Sequence, residues 1–278
     1  MQPNLSYAIC ATQRSGSNFL CDLLKVTRRC GNAHEFFRDW HMASVNRQRG
    51  TGGSGPESCA NIQAHLAHIM QIGATLNGVF GMKIMGNQTG ILKEKLNMLP
   101  QLSSSTLAEA LNILFPNLWY IHLRRNDKIA QAVSFARARQ SNIWAVHKRW
   151  VRVSKPDHLC DTAESPATIR NEKSGECAIS YNYKLIAECL TDIERQETFW
   201  AMFFRDSGIE PLRLVYEELE HDPDTEVLRV LEYLALSGTV DAISFKEKGK
   251  LERQRDDISL EWMQRFRQDR ETSCPGES

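Results

Sequence analysis

Two rhythms of apolar and polar positions run along this chain. Tyr7 to Thr12 is a short apolar run, and polar Gln13, Arg14, Ser15, Gly16 and Ser17 break it. Phe19, Leu20, Leu23 and Leu24 then recur at helical spacing through Asn18 to Thr27. The pattern predicts a buried strand, a tight loop and a helix. Further on, Ala60 to Gly73 reads as an amphipathic helix and Val79 to Met85 as a second strand. The aromatic and β-branched run Leu118 to Leu123 is a third strand, ending at Arg124 and Arg125 before a helix from Asp127 to Arg139 with Asn126 or Asp127 as its cap. Tyr183 to Asp206 is a long amphipathic helix, Arg213 to Tyr216 a fourth strand turning at Glu217 and Glu218, and Leu260 to Gln268 a final helix.

Between these elements lie stretches without period. The region from Arg47 to Ser58 carries RGTGGSG at its centre, His147 to Ala178 mixes Pro, Asp, Glu and Ser, and Lys246 to Asp257 is charged. They read as surface loops, with variable insertions near 39–60 and 147–178, the second long enough to act as a lid. Strands alternating with helices predict an α/β fold: a three-layer, P-loop-like arrangement whose mainly parallel sheet is flanked by helices and binds ligands at the carboxyl ends of its strands.

Composition narrows the function. With 278 residues and 42% hydrophobic content, residues 1–278 suffice for a single domain with a sizeable core. Thirty-four basic and thirty-four acidic side chains cancel, so no global field recruits nucleic acid and any anion site must be built locally. The eight cysteines form no CxxC pair and no Cys/His cluster at zinc spacing, which fits a reduced compartment. His65 and His68 lie three apart on a helix without a third ligand, so no metal is assigned. The first apolar run is too short for a signal segment and no stretch approaches the ~20 apolar residues of a membrane span, so a soluble cytoplasmic protein is expected.

Two places carry chemistry. In Arg14, Ser15, Gly16, Ser17 and Asn18, small residues between strand and helix turn backbone N–H groups and a helix N-terminus toward one point, a nest for phosphate or sulfate oxygens. The loop lacks the GxxxxGK[ST] pattern, which removes support from ATP or GTP hydrolysis. The second place pairs Arg125, a forked donor, with Ser134 nine positions on. Taken alone, each has a structural explanation: a capped helix with a surface arginine, and arginines paired with carboxylates. Lys83, Arg253 and Arg255 are lesser candidates, and Trp40, Trp144 and Trp150 could stack on sugar rings or belong to the core.

The ordered runs YAICATQRSGSNFL, HEFF, IHLRRNDKIAQAVSFARA, EPLRLVYEEL and SLEWMQRFRQD together resemble the bacterial trehalose 2-sulfotransferase and lipopolysaccharide-type sulfotransferase family, from Tyr7 to Asp269. The resemblance implies transfer of the sulfuryl group of 3′-phosphoadenosine-5′-phosphosulfate to a hydroxyl of a carbohydrate or glycolipid. Arg14, Ser15, Gly16, Ser17 and Asn18 then hold the 5′-phosphosulfate, and Arg125 with Ser134 the 3′-phosphate. Cytosolic sulfotransferases space that Arg and Ser one position closer, which brings Arg124 into consideration. They also begin the loop with Lys where this chain has Arg14.

By the same resemblance Glu35 is the base that deprotonates the acceptor, and Arg14 neutralises charge on the leaving phosphate. His34 is the rival base, and adjacent residues on an extended segment point to opposite sides. A homodimer and a metal-free reaction are also implied. The alternatives are a P-loop-like kinase, which needs Mg²⁺, and a non-catalytic nucleotide-binding protein, which binds adenosine bisphosphate without labelling an acceptor.

Overall fold

Strand β1 (Leu5–Ala11) is buried along almost its whole length because it lies between two neighbours. The computed structural model describes residues 3–39, 59–144, 179–236 and 256–273. Within them run β1, α1 (Ser17–Val26), α2 (Cys59–Gly73), β2 (Val79–Met85), α3 (Thr89–Asn97), α4 (Leu107–Leu114), β3 (Leu118–Arg124), α5 (Lys128–Ser141), α6 (Tyr183–Ser207), β4 (Leu212–Val215), α7 (Tyr216–His221), α8 (Pro223–Tyr233) and α9 (Asp257–Ser273). The four strands are parallel in the order β2-β1-β3-β4, the expected mainly parallel α/β sheet.

Alternation along the strands divides the core in two. Ala8, Cys10, Phe80, Met82 and Ile84 face one apolar layer with Leu92, Leu111, Phe115 and Trp200. Tyr7, Ile9, Ala11, Ile121 and Leu123 face the other, with Leu20, Leu23, Leu24, Val227 and Val230. At about 25 cal/mol per Å² of apolar surface buried, each fully enclosed leucine or isoleucine contributes roughly 2 kcal/mol to holding the helices on the sheet. The chain passes from β1 to β2 on one side and returns to β3 on the other. That reversal falls between β1 and β3, and open parallel sheets receive ligands beyond the carboxyl ends of the strands at such a point.

Close packing divides the chain into two units: Met1–Lys128 with Thr191–Gly249, and Ile129–Leu190 with Lys250–Ser278. The sheet and both apolar layers belong to the first. In the second, Arg137 forms a two-pronged ion pair with Asp256, whose carboxylate also accepts the Ser259 N–H at 3.0 Å and so caps α9. The Arg137 guanidinium draws the Asp256 carboxyl down to about 2.

Several elements differ from the pattern-based expectation. β1 begins two residues before Tyr7 because buried Ser6 pairs with both Phe80 and Leu118. The turn expected at Glu217 and Glu218 is instead the helix α7, and α9 starts earlier than Leu260 because Asp256 supplies its cap. The apolar pattern above does not predict helices α3, α4 and α8. Two of them carry start signals: Thr106 and Glu109 form a reciprocal capping box before α4, and Asp222 caps α8 with Pro223 at its first position. The loop expected at Arg47 to Ser58, the insertion at His147 to Ala178, and Arg253, Arg255, Trp40 and Trp150 lie outside the described residues.

Candidate active site

At the carboxyl end of β1 the backbone turns sharply. Arg14 has φ 62° and Gly16 φ 86°, both left-handed, and the Ser15 hydroxyl and N–H both donate to Thr12 O, at 2.8 and 3.3 Å. Ser15 therefore closes the loop on itself. A left-handed arginine costs roughly 1–2 kcal/mol, a strain tolerated where the surroundings fix the conformation. Gly16 is the N-cap of α1 and, having no side chain, makes no capping hydrogen bond to that helix. The first-turn N–H groups, which no helical carbonyl can reach, thus get no partner from the N-cap residue, an arrangement suited to anionic oxygens. Trp200, fully buried on α6, donates its indole N–H to Ala11 O at 3.1 Å and steadies the strand end from which the loop springs.

The second basic group comes from the end of β3. Arg124 turns outward, half exposed, into an ion pair with Glu197 at 2.7 Å, and Lys128 pairs with the other oxygen of the same carboxylate at 2.7 Å. Arg125 turns the other way. Its guanidinium donates to Arg14 O at 3.3 Å and lies 4.7 Å from the centroid of the Tyr216 ring. That ring covers Gly16 so closely that a Cβ there would stand 2.3 Å from Tyr216 Cδ2. Arg125 Nε is buried, 4.0 Å from Glu217 Oε1, and has no hydrogen-bond partner among the described residues. Burial holds the Arg125 guanidinium below its ordinary range, the opposing effect of Tyr216 and Glu217 being smaller. An orphaned donor nitrogen on a buried arginine beside an uncapped helix start fits a ligand rich in anionic oxygens. Glu217 also accepts the N–H groups of Asn126 and Asp127, at 3.0 and 3.1 Å, holding the β3 exit in place. Ser134 lies on α5, partly exposed, in the second unit.

The carboxylate reaches this place along the sheet edge. His34 forms a parallel bridge with Met82, its carbonyl accepting the Lys83 N–H at 2.9 Å. The bridge extends the sheet by one residue and turns the neighbours His34 and Glu35 to opposite sides. His34 packs on Phe36 at 5.7 Å between ring centroids. Loss of solvent, and secondarily the charge of Lys83, hold its imidazole below the ordinary range. Glu35 meets Gln88 Nε2 at 2.6 Å through one oxygen and Lys83 Nζ at 3.6 Å through the other. Lys83 in turn donates to Asn18 Oδ1 in the first turn of α1. The structure thus brings Glu35, Lys83 and the anion loop together, and Gln88, Tyr216 and Glu217 join them.

His65 bonds to Phe36 O at 3.2 Å and packs against Phe37. Among the described residues no group of three or more His, Cys, Asp or Glu could hold a metal ion, and no helix is long and apolar enough to cross a membrane. Gln88 and Tyr216 escaped sequence reasoning. Tyr216 is the last residue of the predicted fourth strand, where a parallel sheet delivers ligand contacts, and that position is its one visible signal.

A parallel α/β sheet that gathers the loop after β1, a buried arginine with an unmet donor and an anchored carboxylate suits an enzyme that transfers a group from an anionic donor. Comparison with known proteins names the group transferred. The Stf0 sulphotransferase profile matches residues 6–269, and the chain belongs to that family: it is a sulfotransferase, using a sulfuryl-donor nucleotide. It is 30% identical over 281 residues to the trehalose 2-sulfotransferase of Mycolicibacterium smegmatis, covering 95% of each protein. It is 29% identical over 278 residues to the trehalose 2-sulfotransferase of Mycobacterium tuberculosis, covering 94% of each. Among solved structures, the sulfotransferase domain of the Synechococcus PCC 7002 olefin synthase aligns with 100% of this chain and 90% of its own at 15% identity and a TM-score of 0.42.

Proposed function

We propose that this sulfotransferase moves the sulfuryl group of 3′-phosphoadenosine-5′-phosphosulfate onto a hydroxyl of a carbohydrate or glycolipid, with a trehalose-like sugar as the first acceptor to try and lipopolysaccharide sugars as the second. The single observation that carries the reading is the position of Glu35, one lysine away from the first turn of the helix that follows the anion loop. The curated relatives, both trehalose 2-sulfotransferases, support the class of acceptor. In the same proposal the enzyme is cytoplasmic and acts as a homodimer.

Arg14 and the amides of Gly16, Ser17 and Asn18 take the 5′-phosphosulfate, with Ser15 shaping the loop, and Arg125 with Ser134 takes the 3′-phosphate. Glu35 accepts the proton of the acceptor hydroxyl as its oxygen attacks sulfur in line. The new O–S bond forms while the bond from sulfur to the bridging phosphate oxygen breaks. The electron pair leaves with adenosine 3′,5′-bisphosphate, and Arg14 and the helix start stabilise its growing charge. Such transfer asks for positioning and charge stabilisation more than covalent chemistry.

The test uses donor carrying radioactive sulfur, trehalose and EDTA. Wild type is expected to label the sugar, and Glu35→Gln to lose roughly 10²–10⁴-fold in kcat while calorimetry shows adenosine 3′,5′-bisphosphate still bound. Full turnover by Glu35→Gln would remove Glu35 from the base role. Binding without labelling of any sugar or glycolipid would leave a nucleotide-binding protein.

A further inference from the structure

Lys83 is 5% exposed on β2, a residue whose ammonium carries a heavy desolvation cost unless it is paired. Its register partner on β1 is Ile9, so it points to the sheet face that α1 covers. There the ammonium meets two oxygens, Asn18 Oδ1 on α1 and Glu35 Oε2 on the bridged segment. Gln88, itself 2% exposed, grips the other Glu35 oxygen at 2.6 Å, and its own Oε1 accepts the Met85 N–H at 3.4 Å. The carboxylate is therefore held at both oxygens by two buried side chains rooted in or just after β2. Turning it away breaks an ion pair on one side and a hydrogen bond on the other.

We infer that Lys83 is a positioning residue that couples the donor loop to the base: held between Asn18 and Glu35, it sets the direction of the Glu35 carboxylate, and Asn18 ties that setting to the helix start on which the donor rests. The inference rests on Glu35 being the proton acceptor. It differs from a role in which Lys83 grips the donor's sulfate, because the lysine acts through Glu35 and has no part once that carboxylate is gone.

The experiment is a double-mutant cycle on kcat in single-turnover sulfuryl transfer to an acceptor that wild type labels, with adenosine 3′,5′-bisphosphate affinity measured alongside. Lys83→Met is expected to lower kcat roughly 10- to 100-fold, as misplacement of a reacting group by about an ångström does. Donor-product affinity changes less than roughly threefold, and in the Glu35→Gln background the same substitution changes kcat less than roughly threefold. Lys83→Arg, which keeps the cation, recovers most of the loss. An undiminished loss in the Glu35→Gln background, or a fall in nucleotide affinity as large as the fall in kcat, overturns the inference. Should Lys83→Met not fold, Gln88→Leu releases the other carboxylate oxygen, and an additive cycle with Glu35→Gln is equally fatal. A wild type that labels no acceptor defeats the functional reading and this inference together, whereas an active wild type with additive cycles defeats the inference alone.

Discussion

Replacing Gly16 by alanine places a methyl group where the fold has no room for one. Ordinary contact begins near 3.4 Å and the new Cβ would stand 2.3 Å from Tyr216 Cδ2, so the ring must retreat by 3.4 − 2.3, about 1.1 Å. The ring is not free to do so. Its hydroxyl donates to Glu220 Oε1 at 3.1 Å, and Arg125 lies over its face at 4.7 Å while bonding to Arg14 O. Moving it displaces the guanidinium read as the 3′-phosphate clamp. The backbone adds its own cost, since φ 86° in an alanine is worth roughly 1–2 kcal/mol, and loss of the stacked cation adds about 0.5–1 kcal/mol. Gly16→Ala is therefore expected to lose about 2 kcal/mol of stability and to bind adenosine 3′,5′-bisphosphate roughly tenfold more weakly, tenfold being about 1.4 kcal/mol. Calorimetric titration and thermal unfolding measure both, and the decisive comparison is made in a Tyr216→Ala background. With the ring gone only the backbone penalty remains, so Gly16→Ala should cost about two thirds as much there. An equal cost in both backgrounds, or unchanged affinity in Gly16→Ala itself, would refute the reasoning.

Two further predictions concern the platform beneath the site. His122 on β3 is buried with no hydrogen-bond partner for Nε2 among the described residues, and desolvation, against the smaller opposing pull of Glu197, lowers its pKa to about 4. The unfolded chain takes up this proton below pH 6.5 and the folded one only near 4. Stability should therefore fall as pH drops through that window and level off below it, by about 3 kcal/mol at 1.36 kcal/mol per unit. Urea unfolding from pH 7 to 4 should show this slope in wild type and lose it in His122→Leu; identical slopes in both would refute the assignment. Trp200→Phe keeps an aromatic ring but is smaller than the indole, so it opens a small void and leaves the Ala11 carbonyl, at the strand end that launches the loop, without its indole donor. It should cost about 1–3 kcal/mol in thermal unfolding, and an unchanged melting temperature would show that the bond does not matter.

Strands β1 to β4 were legible because each is a compact apolar run ending in polar or basic residues, and burial between helical layers leaves few other residue types to use. The loop at Arg14 to Asn18 and the arginines after β3 were legible for the same reason: parallel strands deliver their loops to one edge, so basic residues following two strands must gather there. Helices α4 and α8 escape the pattern despite a capping box at Thr106 and a cap with proline at Asp222, because they span only 8 and 11 residues. What the chain could not reveal by itself is which neighbour each charge takes. Arg124 and Arg125 are adjacent and chemically identical, and only the alternation of β3 sends one outward to Glu197 and the other inward to Arg14 and Tyr216. His34 and Glu35 likewise separate only once a single bridge to Met82 fixes the register. Lys83 meets Asn18 from 65 positions away, a contact set by sheet register and helix packing rather than by local pattern. Sequence by itself determined the fold and the polar loop that follows β1. Tertiary structure decided which of two adjacent candidates faces the site, because side-chain direction depends on register, and register is fixed by packing among segments far apart in the chain.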